Sequence, residues 1–533
     1  MAIATAAVFA AAVGFEFVRF DDPTYTFACP FVMGGLSLSN IAAAVSDFTH
    51  GGIWMPVTYL SYMLDISVFG GGPFGHHLVN VVLHVLNAAL LFSLLLRLSA
   101  PRPNSKTRKL ANSLTSAAAL AAALWALHPL RAEPVCWIAA RKELLWSAFA
   151  LLGIIAFLRG RQWWSLVFCV LACLSKPTAM CFPVLVWAAW GLANRGSSAS
   201  GFGPRLADAV QHSVSSASGF GPRLAAPGVV RALCCMFAAA LATAFIAAYS
   251  QTHASGYDAR SLFTTSLGNR LAAAAHAFFV YVGEIVLPVN LHADVRRVVP
   301  LPMNDARLWV GIVVVVAFTA WAVRRRSREA MWCAVFFLAA LAPTLGVFGS
   351  FGREARADRF LYVPSMAVAI FMVFEFSSFR VLEFCSSQGS VPTGDCPQSS
   401  RADFFKKAGV FAVLLVFSVL AVRQVFFWRN DLTLFSRVLE VDSSHPRALA
   451  HIGSEECARF GNFDSGIEHF RKSLALEYAP NVVAELAYAL VARGRPEDRP
   501  EARRLAESVA SDPRADRSGI ARKALQLLEK GNP

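Results

Sequence analysis

The feature that most constrains this chain is the recurrence of apolar runs of membrane-spanning length. A bilayer core takes about 20 apolar residues in a helix. The 533-residue chain offers such runs, several of them short, at 2–18, 77–98, 112–129, 144–158, 163–175, 178–194, 230–249, 308–323, 330–348, 360–376 and 408–428. Residues 271–289 form a weaker twelfth. In hydrocarbon each run must satisfy its own backbone polar groups, which a helix does. Composition agrees: 56% of residues are hydrophobic and 16% charged, against about 25% charged in soluble domains. The fold class expected is all-α, a polytopic transmembrane helix bundle of about 11 spans.

The formal charge of +14 would suggest a nucleic-acid partner in a soluble chain. Here the basic residues cluster between apolar runs, as membrane loops do, so nucleic acid is excluded. No Lys or Arg occurs between Arg19 and Arg97. The polar loop 20–76 therefore belongs outside, and 100–111, with Arg102, Lys106, Arg108 and Lys109, inside. Alternation then places Arg159, Arg161, the loop 195–229 and the run Arg324, Arg325, Arg326 and Arg328 inside. This holds only if 271–289 is re-entrant or lies on the outer surface. The N-terminus is then inside and the C-terminal tail outside. Ala2 to Phe17 lacks a basic n-region, and Phe15, Phe17 and Arg19 stand where a cleavage site wants small residues. An uncleaved first span is expected.

The inner loop carries an identical repeat, SSASGFGPRLA, at Ser197–Ala207 and Ser215–Ala225. Its Gly, Ser and Pro content reads as flexible linker, as does 377–407 with Cys385 and Cys396. The eleven cysteines show no metal spacing. Cys169, Cys173, Cys181, Cys234, Cys235 and Cys333 lie in apolar runs and read as small buried hydrophobes.

After Trp428 charges become frequent and helical periodicity replaces continuous apolarity. The segment Ala448–Leu476 contains LAHIGSEECARFGNFDSGIEHFRKSLAL, two amphipathic helices meeting at Gly461. Gly466, Phe470 and Ser473 recur at tetratricopeptide spacing, and a second unit runs through LAYALVARGR, with a period of about 34 residues. Two units are few for independent stability, so Asp431–Leu439 is expected to add a packing helix. The division expected is a membrane domain over 1–428 and a tetratricopeptide tail over 429–533.

Ionisable groups in or beside spans are costly and mark function. Asp21 and Asp22, before Pro23, could serve a general base or a cation site, or be turn residues. His77, Asn80, His84 and Asn87 share one helix face beside His76 and must face the bundle or a wet cavity. His77 and His84 are roughly 10 Å apart, too far for one metal ion. His128, Arg131, Glu133, Arg141, Lys142 and Glu143 put basic residues outside, where they want an anionic partner, either a carboxylate or a lipid phosphate. Lys176 with Pro177, and GREARADRFLYVP with Arg353, Arg356, Asp358 and Arg359, add cations near the same depth. An outward cavity with carboxylates and separate cations suits transfer from a lipid-phosphate-linked donor: phosphate leaves as a stable anion, and the acceptor hydroxyl needs a base.

The ordered series FDDPTY, GGLSLSNI, GGIWMPVTYLSYMLD, FGHHLVNVVLHVLNAALLF, LHPLRAEPVCWIAARKELL, LSKP and ADRFLYVP resembles the transmembrane and tetratricopeptide repeat-containing O-mannosyltransferases. The resemblance runs from Phe20 to about Asp512 and is weak over 250–307. It implies a glycosyltransferase C-type bundle with its active site on the luminal or periplasmic side. The implied reaction is inverting transfer of a sugar, mannose in the first instance, from dolichyl-phosphate mannose to Ser or Thr hydroxyls of an acceptor protein. It implies catalytic roles for Asp21, Asp22 and Glu133, and donor-phosphate contacts for Arg141, Lys176 and Arg359; His76, His77, His128 and Asp358 are further candidates for donor-phosphate or substrate contact. Cys29 stands before Pro30 where relatives often carry Asn or Asp, and the tail has two repeats where many have more. No DxD-type triplet occurs in the first outer loop, which disfavours an obligatory metal. The membrane would be that of the endoplasmic reticulum in a eukaryote or the inner membrane in a bacterium. Rival readings are an inactive membrane scaffold that binds partners through its repeats, and a bacterial-type transferase using undecaprenyl-phosphate sugars. A secondary transporter is disfavoured, since the spans show no internal symmetry.

Overall fold

Prolines and caps decide where the apolar runs become helices. A proline removes a backbone donor and disfavours helix in the residue before it. So the run 112–129 is helical to Ala126 and gives way to a single turn, Pro129–Arg131. The run 330–348 is helical from Arg328 to Leu341 before Pro343. The run 360–376 begins as the turn Asp358–Leu361 and becomes α-helix only beyond Pro364, over 366–375. The computed structural model describes residues 1–99, 108–194, 227–253, 266–295, 303–347, 356–375, 398–511 and 519–530. Both repeats of the inner loop, most of 377–407 with its two cysteines, and Arg353 lie outside the described residues.

No strand occurs among them, and the helices fall into two compact units. The first takes in residues 1–15, 21–291 and 297–425. Its helices are α1 (Ala2–Phe9), α2 (Leu38–Ser46), α3 (Pro56–Phe69), α4 (Pro73–Ser99), α5 (Arg108–Ala126), α6 (Arg141–Leu158), α7 (Gln162–Ser175), α8 (Phe182–Ala193), α9 (Pro227–His253), α10 (Leu267–Val286), α11 (Ala306–Arg325), α12 (Arg328–Leu341), α13 (366–375) and α14 (Gln398–Phe426). Side-chain oxygens of Ser37, Ser266, Asp305 and Ser327 accept first-turn N–H groups of α2, α10, α11 and α12, the usual satisfaction of orphan donors.

Among the described residues three helices are long and apolar enough to cross a membrane: Pro73–Ser99, Gly228–His253 and Ala306–Arg325. Other expected spans are shorter apolar helices, such as Thr115–Ala126 and Gln162–Ser175. Leu267–Val286, in the twelfth run, carries Arg270 and Glu284 and is not one of the three. Large apolar side chains point outward: Leu241 and Phe245 on α9, Val313, Val316 and Val323 on α11, Phe411, Leu415 and Val419 on α14. A water-soluble bundle would bury these; a lipid-facing one exposes them. The chain is a membrane protein.

Polar groups turn inward instead. His76, His77, Asn80, His84 and Asn87 are all buried on α4, the face the sequence requires to look into the bundle. His84 bridges the Tyr362 hydroxyl (2.8 Å) and the Ala126 carbonyl (3.1 Å). The Asn87 amide donates to the Leu144 carbonyl and the Tyr362 hydroxyl, and that of Asn80 to the carbonyls of Val135 and Trp137. The stripe holds neighbouring elements by hydrogen bonds. Helices α10 and α11 meet backbone to backbone. A Cβ on Gly283 would fall 1.9 Å from the Arg307 carbonyl oxygen, and one on Gly311 1.8 Å from that of Phe279.

The second unit takes in 16–20, 292–296 and 426–533. It holds α15 (Asp431–Val441), α16 (Pro446–Phe460), α17 (Phe463–Leu476), α18 (Pro480–Arg493), α19 (Arg499–Ala510) and α20 (Ile520–Glu529). Pro446 and Pro480, 34 residues apart, open the first helix of successive pairs. Gly461 and Gly494 end those helices in the left-handed conformation, which glycine adopts without strain. The α16–α17 crossing is close because Gly453 and Gly466 face each other; a Cβ on either would sit 2.9 Å from the other's carbonyl oxygen. Ile467, Phe470, Val483, Leu486, Leu490 and Ala506 fill the core. Helix α15 packs ahead of the pairs as expected: its Phe435 ring stacks on His451 at 4.0 Å. Arg19 ties the 16–20 segment in, its Nε 3.0 Å from Asp431 with a further pair to Glu455.

Burial, with Arg447 and Arg19 beside it, pushes the His451 imidazole down to about 3, whereas an unfolded histidine titrates near 6.5. Protonation thus favours the unfolded form, so this contribution is complete above about pH 6.5 and is lost as pH falls toward 3. Hydrogen exchange of the full chain, corrected for intrinsic rate, should show α16 opening more readily at pH 5 than at pH 7. His451→Gln should flatten that dependence. Gly283→Leu or Gly311→Leu should separate α10 from α11, and detergent-solubilised protein should melt well below wild type. An unchanged melting temperature would mean that the close crossing is dispensable.

Candidate functional site

Residues 125–148 are buried without interruption, although they include His128, Arg131, Glu133, Arg141, Lys142 and Glu143. A charged stretch so deep requires partners. Three short turns, Pro129–Arg131, Ala132–Cys136 and Ile138–Ala140, carry the chain from α5 into α6 and aim successive side chains differently. Asp22 is fully buried and fixes the last turn: the Ala139 N–H donates to its Oδ1 at 2.9 Å. Its backbone carbonyl accepts from the Thr26 hydroxyl at 2.6 Å. Asp21, one residue earlier, is only part buried.

Three buried carboxylates each hold a cation. Glu133 pairs with the Arg359 guanidinium and also accepts the Arg359 backbone N–H at 3.2 Å. Glu143 pairs with the Lys176 ammonium and accepts the Trp146 indole N–H at 2.8 Å. Asp65 pairs with Arg141 and lies 2.7 Å from His76 Nδ1. Arg141 also donates to Asn80 Oδ1 (2.8 Å) and the His76 carbonyl (2.6 Å).

Aromatic rings join two of these pairs. The Arg359 guanidinium lies 4.8 Å from both the Trp137 and the Phe360 ring centres. Lys176 lies 5.2 Å from Phe360. Lys142 lies 5.6 Å from Trp137 and 4.4 Å from Tyr25. Lys142, Arg359 and Lys176 thus share two rings, and Lys142 is an electrostatic neighbour of Asp21. Of the expected residues, the structure gathers Asp21, Asp22, Glu133, Lys176 and Arg359 around these rings. Asp358 is buried and has no hydrogen bond or ion pair among the described residues. Burial, with Glu133 and Glu284 close by, pushes its carboxyl well above the usual carboxylate range.

The remaining expected residues have other partners. Arg141 and His76 are engaged with Asp65, His77 packs edge-on against Phe15 at 6.3 Å, and His128 caps its own turn. Its Nδ1 accepts the Leu130 N–H (3.2 Å), and its Nε2 meets the Ile285 carbonyl (3.0 Å). Two groups went unnamed in the sequence. Asp65 carried a signal, being a carboxylate in the otherwise apolar YLSYMLD. Phe360 carried none, since an aromatic in an apolar stretch looks like any core residue. The arrangement supplies a part-exposed carboxylate beside a cluster of cations packed on aromatic rings, which is the chemistry of an anionic leaving group and an activated hydroxyl.

The comparisons point the same way. The chain is similar to protein O-mannosyl-transferase F38B6.6 of Caenorhabditis elegans, 21% identical over 83% of this chain and 57% of the relative. It is similar to protein O-mannosyl-transferase Tmtc1 of Drosophila melanogaster, 31% identical over 30% of this chain and 19% of the relative. Protein O-mannosyl-transferase TMTC4 of Homo sapiens is 32% identical over 22% of this chain and 16% of the relative. The chain spans just over half the length of the nematode relative and less than a fifth of the other two. No family model matches it, and no solved structure does.

Removing one partner of a buried pair leaves a naked charge, at about 3–5 kcal/mol. Glu133→Gln should lower the melting temperature clearly, and Glu133→Gln with Arg359→Met should recover part of that loss. Equal destabilisation by the single and double variants would show that the two side chains act independently.

Proposed function

The chain is a member of the transmembrane protein O-mannosyltransferase family, and on that premise we propose that it transfers mannose from a polyprenyl-phosphate donor, dolichyl-phosphate mannose, to Ser or Thr hydroxyls of an acceptor protein. The observation that carries this is the juxtaposition of part-exposed Asp21 with Lys142, Arg359 and Lys176 around Trp137 and Phe360. Asp21 takes the acceptor hydroxyl proton as the oxygen attacks the sugar C1. The bond from C1 to the phosphate oxygen breaks on the opposite face, its electron pair leaves with the phosphate, and the configuration at C1 inverts. Asp22, bound to the Ala139 N–H, holds the turn that presents the cationic wall. Glu133 holds Arg359 in place. His76 and Arg141, tied together through Asp65, set the start of α4 against that of α6. Lys176 and Asp358 complete the donor side.

The tail is read as a tetratricopeptide array whose helix pairs hold the acceptor segment. The distribution of Lys and Arg along the sequence puts the tail outside, which is the luminal side of the endoplasmic reticulum in a eukaryotic cell.

The test is transfer of radiolabelled mannose from dolichyl-phosphate mannose to protein in membranes expressing the chain. Loss of a general base costs about 10²–10⁴-fold, so Asp21→Asn should lower transfer by that factor at wild-type expression. Asp22→Asn should lower both expression and transfer. Full transfer by Asp21→Asn would remove Asp21 from the reaction, and no transfer by wild type would remove the reaction itself.

A further inference from the structure

Two of the three cations that share Trp137 and Phe360 are already neutralised, Lys176 by Glu143 and Arg359 by Glu133. Lys142 is not. It is 4% exposed, and among the described residues it has neither a hydrogen bond nor an ion pair, only the faces of Tyr25 and Trp137. An ammonium withdrawn from water forfeits most of its hydration, and ring faces return only part of it. Its charged neighbours are Asp21, Glu143, Arg359 and Lys176. Glu143 is committed to Lys176 and the Trp146 indole, while Arg359 and Lys176 are like charges. Apart from Asp21, the cluster lacks one negative charge.

Position strengthens the point. Lys142 lies in the first turn of α6, whose N-cap is Ala140, a residue with no side-chain acceptor for the first N–H groups. The start of a helix favours an anion through those donors and the helix dipole. A buried, uncommitted ammonium beside it is an independent reason for an anion there. A compact ammonium with three donors suits a phosphate approached from one side.

We propose that Lys142 binds the phosphate of a polyprenyl-phosphate ligand and holds its charge as the sugar leaves; the proposal rests on the transferase reading above. In that step the bond from C1 to the phosphate oxygen breaks with its electron pair passing to the phosphate. Lys142 keeps its proton and serves as counter-ion, while the acceptor proton goes to Asp21.

The experiment measures binding of tritiated farnesyl phosphate, a short polyprenyl phosphate, to the purified full chain in detergent. Farnesol and inorganic phosphate are the competitors, and mannose transfer is assayed on the same preparations. Lys142→Met should weaken farnesyl phosphate binding at least tenfold, with Lys142→Gln as the substitute if that variant does not accumulate. Lys142→Arg, which keeps the charge and cannot act as a base, should stay within about threefold of wild type. Farnesol should not compete. In the transfer assay, Lys142→Met should raise the donor KM more than it lowers kcat. Wild-type binding by Lys142→Met, or loss of binding in Lys142→Arg as severe as in Lys142→Met, overturns the proposal whether or not mannose is transferred. Inorganic phosphate competing as well as farnesyl phosphate would make the ligand a free anion and overturn the lipid assignment. Lys142-dependent binding without mannose transfer by wild type would leave the phosphate site standing and sink the transferase reading alone.

Discussion

Charge buried inside an apolar bundle must be matched, and the membrane unit is organised around that requirement. Glu133 with Arg359, Glu143 with Lys176 and Asp65 with Arg141 each join elements far apart in sequence. In a low-dielectric interior each such pair is nearly all-or-none, because losing one member strands the other. The pairs therefore act as registration pins. They fix the 125–148 segment against the 176 turn, the 358–361 turn and the start of α4. The polar stripe of α4 does the same with neutral groups, through His84 and Asn87 to Tyr362.

Matching is what makes the exceptions informative. Among the described residues Asp358 has no hydrogen bond or ion pair, and burial drives it toward its neutral form, which removes the need for one. Among the described residues Lys142 has no ion pair either, with Asp21, Arg359 and Lys176 near it. The cluster pairs Arg359 and Lys176 with carboxylates and leaves the Lys142 ammonium without an ion pair among the described residues. Trp137 and Phe360 help by filling the space between cations with ring faces, which attract charge and admit little water.

The second unit follows different rules. Its helices carry ordinary amphipathic faces, with small residues where helices cross and glycines where they turn. Its tie to residues 16–20 uses Arg19 against Asp431 and Glu455, an arrangement that only folding could reveal.

The sequence by itself determined the class of this protein. Continuous apolarity demands helices in lipid, the absence of Lys and Arg between residues 19 and 97 assigns sides, and the switch to periodic amphipathicity after Trp428 marks a different kind of unit. Those readings rest on solvent, which acts locally on each segment. The 271–289 run stayed ambiguous because Glu284 interrupts it and Arg270 borders it, and the helix ends were blurred because prolines cut the runs at 129, 343 and 364. The site was partly legible: Asp21, Glu133, Lys176 and Arg359 stand out as charges in apolar surroundings. Which carboxylate holds which cation was not legible, nor were the partners of His128 and Arg141. Partnership depends on distances between segments 33 to 226 residues apart, and only the tertiary structure, by pairing Arg359 and Lys176 with carboxylates and leaving Lys142 without an ion pair among the described residues, decided which cation stands unpaired.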